Sequence, residues 1–347
     1  MMADYIRVID IGGDGFRRVD IDSGFVDKIK AKDVEQIRAL ISEEIKDADI
    51  VKKKKESIPD LDSLMQFVAD GLEGGKIKGV AYSVAGVIED HRLIKNSPNA
   101  HFLDDVDLKQ KTESFSKEAK LESFVFNDME AAVTGMATLL GNPPYFMGIT
   151  WSTGIGLRIW SDGKILSVAE GGHMVLDPTP FAPLCGCGKR GHAEAIIGGA
   201  SIERRIITET NALGLPDELN ITFGKGEGQI RAPVFLNEAY LGKYSEKTKT
   251  WAKEFYYGRI VRGMGIFLAN IQSLLNLPLI VWKGTVAREV LWGRIQLASA
   301  VQSVMKGYLI DPTWADEDRL RFVETPGTGD RDAFIGAAEA FKAISQR

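Results

Sequence analysis

Apolar and polar positions alternate along residues 5–11, YIRVIDI, and again along 16–22, FRRVDID, with Gly12-Gly13 between them. A period of two predicts two strands, and the glycine pair joins them as a hairpin. The period then changes. Val34, Ile37, Leu40, Ile41 and Ile45 recur at helical spacing and predict a helix over 32–48. A second helix is predicted over 61–75, ending in glycines. Residues 77–88, IKGVAYSVAGVI, are near-continuously apolar and predict a buried strand turning at Gly86. SFVFNDMEAAVTGMATLLG (123–141) switches from strand to helix at Asn127-Asp128. Further on, a helix is predicted over 256–277 and a buried strand ending in a glycine turn over 278–287. Residues 322–347 predict a strand, a glycine-rich turn and an alanine-rich helix. The run KKKKE (52–56) predicts a solvated loop or helix end.

One pattern occurs twice. YFMGITWSTGIGLRIWSDGK (145–164) matches YIRVIDIGGDGFRRVDIDSG (5–24): Tyr, an apolar strand, a turn with two glycines, an Arg-bearing strand and a polar turn. A hairpin opening each half predicts two related α/β domains with a cleft between them. The charge-rich KQKTESFSKEAK places a boundary near 115–120.

Composition narrows the classes. The 43 Lys and Arg against 48 Asp and Glu give a net charge of −5, which excludes a binder whose affinity comes from neutralising nucleic-acid phosphates. The N-terminal residues carry no basic segment followed by an apolar one, and no stretch approaches a membrane span, so a cytoplasmic location without membrane partners is expected. The two cysteines, Cys185 and Cys187, are too few and too close for a disulfide framework.

Three constellations can carry chemistry. The glycine turns at 12–13 and 152–156 present converging backbone amides, and Thr153 adds a hydroxyl. Such turns serve either as plain hairpin turns or as phosphate cradles, and their matched flanks favour phosphate. Asn127-Asp128 sits at a strand end before a helix, where a carboxylate either caps the helix or acts as a base. His173, Cys185, Cys187 and His192 supply a Cys2His2 set, the donors of a closed tetrahedral zinc site with no position left for water; the other reading is two buried thiols and two paired histidines. Glu170 and Glu194 flank the set; they are either ordinary exposed surface glutamates or carboxylates placed to bond sugar hydroxyls.

Together these segments resemble the ROK family of sugar kinases and repressors, within the actin/hexokinase-like (ribonuclease H-like) two-domain α/β fold. DIGGDGFRRVDI and STGIGLRIWSDG resemble its two phosphate hairpins, FNDMEAA its base-bearing segment, and NSPNAHF a segment that reaches the sugar. EGGH and CGCGKRGHAE resemble its E-x-G-H and C-x-C-G motifs, and LIVWKGTVA and GDRDAFIGAA its late strand-turn and closing helix. The resemblance spans nearly the whole chain.

It implies a smaller domain of residues 1–118 plus 331–347 and a larger one of 119–330 bearing the zinc loop. It implies a glucokinase-like enzyme that phosphorylates a hexose or N-acetylhexosamine hydroxyl, with ATP, Mg²⁺ and a structural Zn²⁺. Asp128 would be the catalytic base. Gly86, Asn99, Asn127, Asp128, Glu170, His173 and Glu194 would meet the sugar. Asp10, Gly12, Gly13, Asp14, Ser152, Thr153, Gly154 and Gly284 would meet nucleotide or metal, with Asp10 on Mg²⁺ through water. His173, Cys185, Cys187 and His192 would hold zinc. A homodimer or homotetramer is expected. A DNA-binding repressor is not, because the first strand starts at Tyr5. Three positions depart from the pattern: His192 stands for a usual cysteine, Asp14 for a threonine that Arg17 or Arg18 would have to compensate, and Lys283 for a glycine. Asp14 and Lys283 motivate the alternative of a catalytically degenerate sugar-binding or regulatory member, and polyphosphate remains open beside ATP as donor.

Overall fold

The computed structural model describes residues 4–13, 15–29, 34–72, 76–115, 121–167, 170–286, 297–324 and 331–346; Asp14 and the segment 116–120 lie outside them. A first five-stranded sheet is built from β1 (Tyr5–Gly12), β2 (Gly15–Asp22), β3 (Val51–Lys53), β4 (Ile77–Val84) and, after a small three-stranded sheet of β5 (Val87–Glu89), β6 (Leu93–Asn96) and β7 (Val106–Asp107), from β8 (Glu122–Asn127). Its order is β3-β2-β1-β4-β8. A second sheet is built from β9 (Tyr145–Trp151), β10 (Ile155–Ser161), β11 (Lys164–Ser167), β12 (Leu279–Lys283) and β13 (Arg321–Glu324), in the order β11-β10-β9-β12-β13. Counted within each half, the strand order is the same, third-second-first-fourth-fifth. β1, β4 and β8 run parallel, as do β9, β12 and β13. The repeated hairpin is thus the start of a repeated sheet.

Contacts divide the chain into two compact units: Met1–Pro144 with Arg158–Val168 and Thr325–Arg347, and Tyr145–Leu157 with Ala169–Glu324. In the first unit both sheet faces are covered. Ile6, Val8, Val19 and Ile21 face one apolar cluster, which takes in Phe334, Ile335 and Phe341 of the helix Arg331–Ser345. Ile9, Ile11, Val80 and Val84 face the other, with Leu64 and Val68 of the helix Leu61–Ala69. Alternate residues of β1 therefore go to opposite cores, which is why that strand is apolar on both faces.

The helix Asp128–Leu139, which follows β8, is held against Arg331–Ser345 by a close backbone contact. A side chain at Gly336 would meet the Ala131 carbonyl oxygen at 1.8 Å, and one at Gly135 would meet the Asp332 carbonyl oxygen at 1.9 Å. In the second unit the long helices are Gly199–Ala212, Glu246–Phe255, Arg262–Leu275 and Leu297–Lys306. Among the described residues no helix is long and apolar enough to cross a membrane.

Three local expectations change. Lys52 and Lys53 lie on β3, paired with Arg17 and Phe16, and Lys55 opens a short 3-10 turn, so the lysine run is part edge strand rather than loop. A strand whose outer edge faces water tolerates lysines, and a charge count cannot detect this. The helix expected from 256 begins instead as a π turn, Tyr256–Val261, continuing Glu246–Phe255. The helix expected over 32–48 ends earlier, at Glu44, and is followed by a 3-10 turn at Asp47–Asp49.

Candidate sugar and phosphoryl-donor site

In the first unit the candidate residues stand at the carboxyl ends of parallel strands, where open α/β sheets place ligands. Asn127 ends β8 and caps the following helix, its Oδ1 accepting from the Met129 amide at 2.9 Å. The same oxygen accepts from Arg158 Nη2 at 2.9 Å, and Asn127 Nδ2 donates to the Gly86 carbonyl at 2.9 Å. Asn127 is 8% exposed and Arg158 3% exposed, so the carboxamide is fixed in a dry setting. Asp128 is the first helical residue and half-buried, and its Oδ1 accepts from the Met129 amide at 2.9 Å. The capping reading of this pair therefore holds for Asn127, and the Asp128 carboxylate stands beside the cap.

Glu130 occupies the third helical position. It is partly buried, and desolvation raises its pKa, opposed by His91, by the Asn127 backbone amide and by Arg158.

Asn99 Oδ1 lies 3.8 Å from the point a Gly13 side chain would occupy, so the expected sugar residue and the first glycine turn are neighbours. That turn, with Gly12, Gly13, Gly15, Arg17, Lys52 and Lys53, lines a cavity of about 270 Å³. Asp10 is 5% exposed and accepts three bonds: Arg17 donates to its Oδ2 from Nε at 2.9 Å and from Nη2 at 2.6 Å, and Ser83 Oγ donates to its Oδ1 at 2.9 Å. A carboxylate offers about four acceptor positions, so these bonds leave Asp10 able to accept from a metal-bound water, the contact that the resemblance implies. Arg18 turns away, donating to the Phe67 carbonyl and to Asp70.

In the second unit, Ser152, Thr153 and Gly284 come together. Thr285 N donates to Ser152 Oγ at 3.3 Å, and Gly199 N and Ala200 N donate to the Ser152 and Thr153 carbonyls at 2.8 and 3.0 Å. A cavity of about 230 Å³ is lined by Ser152, Thr153, Glu203, Lys225, Arg231 and Thr285, among others. Gly154 is required by a close approach: a side chain there would meet Glu194 Oε2 at 2.2 Å. That oxygen accepts from the Ile155 amide at 3.2 Å, so Glu194 is seated on the second glycine turn. Glu170 precedes the 3-10 turn Gly171–His173 and is exposed.

His173, Cys185, Cys187 and His192 converge, with one ligand atom from each lying within 4.8 Å of the others. His173 Nδ1 and His192 Nδ1 are 3.2 Å apart, Cys187 Sγ is 3.2 Å from His192 Nδ1, and Cys185 Sγ is 3.6 Å from His173 Nδ1. Metal–ligand bonds of about 2.0 Å to nitrogen and 2.3 Å to sulfur put tetrahedral donors roughly 3.3–3.8 Å apart, so the donor set fits zinc. Backbone bonds hold the loop in this shape: Cys185 N to the Lys189 carbonyl at 2.7 Å, and Ala193 N to the Met174 carbonyl at 2.8 Å. Burial pushes the Cys185 thiol up, as do the Cys187 side chain and Glu194.

The sequence profile of the ROK family matches residues 37–344. The chain belongs to the ROK family. An N-acetylmannosamine kinase of Vibrio cholerae is 30% identical over 228 residues, which is 63% of this chain and 65% of that protein, so the match spans somewhat less than two thirds of the relative's length. A ROK family glucokinase from Streptomyces griseus, solved with glucose and AMPPNP, superposes with a TM-score of 0.67 at 21% identity, over 97% of this chain and 98% of that one. A ROK family transcriptional regulator, a homologue of the E. coli MLC protein, superposes with a TM-score of 0.68 at 16% identity, over 99% of this chain and 82% of that one. These structures establish the actin/hexokinase-like fold of this ROK chain. The same fold serves kinases and a regulator, so the function has to be argued from its site.

Sequence reasoning missed four contributors to these sites, Arg158, Ser83, Lys225 and Arg231, and named Arg17 only as a partner for Asp14. Arg158 sits in the repeat's Arg-bearing strand and carried a signal that was read only as pattern. Ser83 and Arg17 become partners of Asp10 through strand register, which a linear sequence does not display. Lys225 and Arg231, in FGKGEGQIR (223–231), are a basic pair in a glycine-rich segment, and that was the available clue.

Proposed function

We propose that this chain is a sugar kinase that transfers the terminal phosphoryl group of ATP to a hydroxyl of a hexose or N-acetylhexosamine. The observation that carries the reading is the seating of Asp128: first in its helix, half-exposed, beside an Asn127 locked by Arg158 and Gly86. The relatives named N-acetylmannosamine kinase and the neighbour that holds glucose with an ATP analogue support it. In the reaction the sugar hydroxyl oxygen bonds to phosphorus, the bond to the departing diphosphate breaks, and the hydroxyl proton passes to Asp128. Asn127 and Asn99 orient the acceptor. Glu170, His173 and Glu194 bind further hydroxyls, and both glycine turns hold phosphates. A zinc ion on His173, Cys185, Cys187 and His192 would have no open position; it would staple the loop and aim His173 and Glu194.

The test is an ADP-release screen over hexoses and N-acetylhexosamines, in wild type and Asp128→Asn. Removal of a general base is expected to lower turnover by about 10²–10⁴-fold while sugar binding, read by calorimetry, persists. A flat screen with intact sugar binding would favour the second reading, a sugar-binding regulatory member.

A further inference from the structure

The Asn127 carboxamide is held by three bonds that come from three parts of the chain. Its Oδ1 accepts from the Met129 amide of its own helix and from Arg158 Nη2, both at 2.9 Å, and its Nδ2 donates to the Gly86 carbonyl at 2.9 Å. A carboxamide oxygen offers two acceptor positions, and the nitrogen two hydrogens. Both acceptor positions are therefore filled and one hydrogen is spent, while among the described residues no protein acceptor takes the second. Turning the carboxamide over would set its NH2 group against an amide and a guanidinium, both donors, and its oxygen against a carbonyl, so the orientation is settled by its partners. Toward a ligand, Asn127 is a donor only.

The distant partners are themselves fixed. Gly86 has φ +145°, and a side chain there would meet the Asn96 carbonyl oxygen at 1.9 Å, so only glycine lets this turn pack on the end of β6 and present its carbonyl to Asn127. The helix cap is complete without Arg158: Asn127 Oδ1 takes the Met129 amide, and the Glu130 carboxylate accepts from the Asn127 backbone amide in return. Drawing a guanidinium into a setting where it is 3% exposed costs desolvation free energy that the cap does not require. What the bond brings is control of the carboxamide. A cation on the carbonyl oxygen draws electron density from the amide nitrogen, which makes the remaining N–H a stronger donor.

We propose that Arg158 is a positioning residue for the phosphoryl acceptor: it acts through Asn127, closing the last acceptor position of the carboxamide and strengthening its remaining N–H, which donates to an oxygen of the sugar bound beside Asp128. That oxygen can belong to a hydroxyl, the ring or an acetamido group. A group with no lone pair to offer, such as an ammonium, cannot be met there. The inference rests on the reading of this site as a sugar site, but it is read first by binding, without turnover.

Calorimetry would rank glucose, mannose, N-acetylglucosamine and N-acetylmannosamine on the wild-type protein, and the tightest of the four would be carried forward with its monodeoxy analogues. Arg158→Met is expected to weaken that sugar by about tenfold, the scale of a lost charge-assisted contact, and in turnover to raise the sugar KM while the ATP KM moves by less than about twofold. Arg158→Lys, which keeps a cationic donor, is expected to recover most of the loss. In an Asn127→Ala background Arg158→Met is expected to cost less than about twofold, because the two side chains act as a unit. One deoxy analogue, lacking the oxygen that Nδ2 meets, is expected to bind wild type and Arg158→Met alike. Because Arg158→Met could misfold, the same series on Arg158→Lys and Asn127→Ala gives an independent reading: the analogue least sensitive to one variant is also the least sensitive to the other. Independent losses in the double variant, or one Arg158 penalty shared by every analogue, overturns the proposal, since Arg158 would then only support the fold. So does a wild-type protein that binds none of the four sugars. Turnover with independent losses would sink this inference and leave the kinase reading standing; coupled losses in sugar binding without turnover would do the reverse.

Discussion

Replacing Gly336 by alanine sets two effects of opposite sign against each other. Glycine in a helix interior costs about 1 kcal/mol relative to alanine, so propensity alone predicts stabilisation. Against this, the new methyl would lie 1.8 Å from the Ala131 carbonyl oxygen and 2.4 Å from the Gly135 amide nitrogen. Both are backbone atoms, so neither can swing aside. An ordinary contact of about 3.2–3.4 Å requires the two helices to part by roughly 1.4–1.6 Å, and overpacking of that kind costs about 1–3 kcal/mol or more. Contacts of Phe334, Ile335 and Phe341 with the sheet are strained as well. The clash wins, and Gly336→Ala is expected to lose about 2 kcal/mol in urea unfolding followed by circular dichroism. Because the displaced partner is the helix that begins at Asp128, a misplacement near 1 Å is expected to lower turnover by about 10²-fold. Gly258 is the control: the space around a side chain there is open, and Gly258→Ala is expected to be neutral or stabilising. Equal, positive stability changes at the two sites would refute the reasoning, since propensity would then govern both.

Gly154→Ala is expected to push the Glu194 carboxylate off the Ile155 amide and to raise the sugar KM more than it lowers kcat, measured by steady-state kinetics. His192→Ala is expected to drop bound zinc from about one per chain towards none and to lower the melting temperature, while His192→Cys keeps the metal, both read by metal analysis and calorimetry. The Glu130 carboxyl has a folded pKa raised by burial, so the folded state binds the extra proton and stability falls as pH rises above its unfolded value of about 4.3. Glu130→Gln should remove that fall, leaving the variant relatively more stable at pH 7 than at pH 5 in parallel urea titrations.

The parts of this molecule that were legible from the chain are those with a local signature. The strand-to-helix switch at Asn127-Asp128 occurs at the expected residue because an apolar run meets two capping residues. The repeated hairpin predicted a repeated domain, and the two sheets share one strand order. The convergence of His173, Cys185, Cys187 and His192 was legible because both cysteines of the chain fall within three residues, with histidines on either side. What escaped was set by register and long-range pairing. Nothing in KKKKE says that β3 will lie beside β2, so the link from Lys52 to Arg17 to Asp10 emerges only once three strands are laid side by side. The π turn at Tyr256–Val261 escaped for another reason: one extra residue per turn hardly disturbs an apolar stripe.

The packing of Arg331–Ser345 against strands that begin at Tyr5 has a consequence for the order of assembly during synthesis. The loop that carries the Cys/His cluster spans only residues 173–192, a short closure that a ribosome-bound chain can make as soon as those residues emerge. The second unit is complete in sequence by Glu324. The first unit, although its strands emerge earliest, gets part of its cover on one face from Phe334, Ile335 and Phe341, and so lacks it until Arg331–Ser345 is made, while Ile37, Ile41 and Ile45 can cover the rest early. The part left open in that interval exposes the nascent chain to aggregation and to chaperone capture.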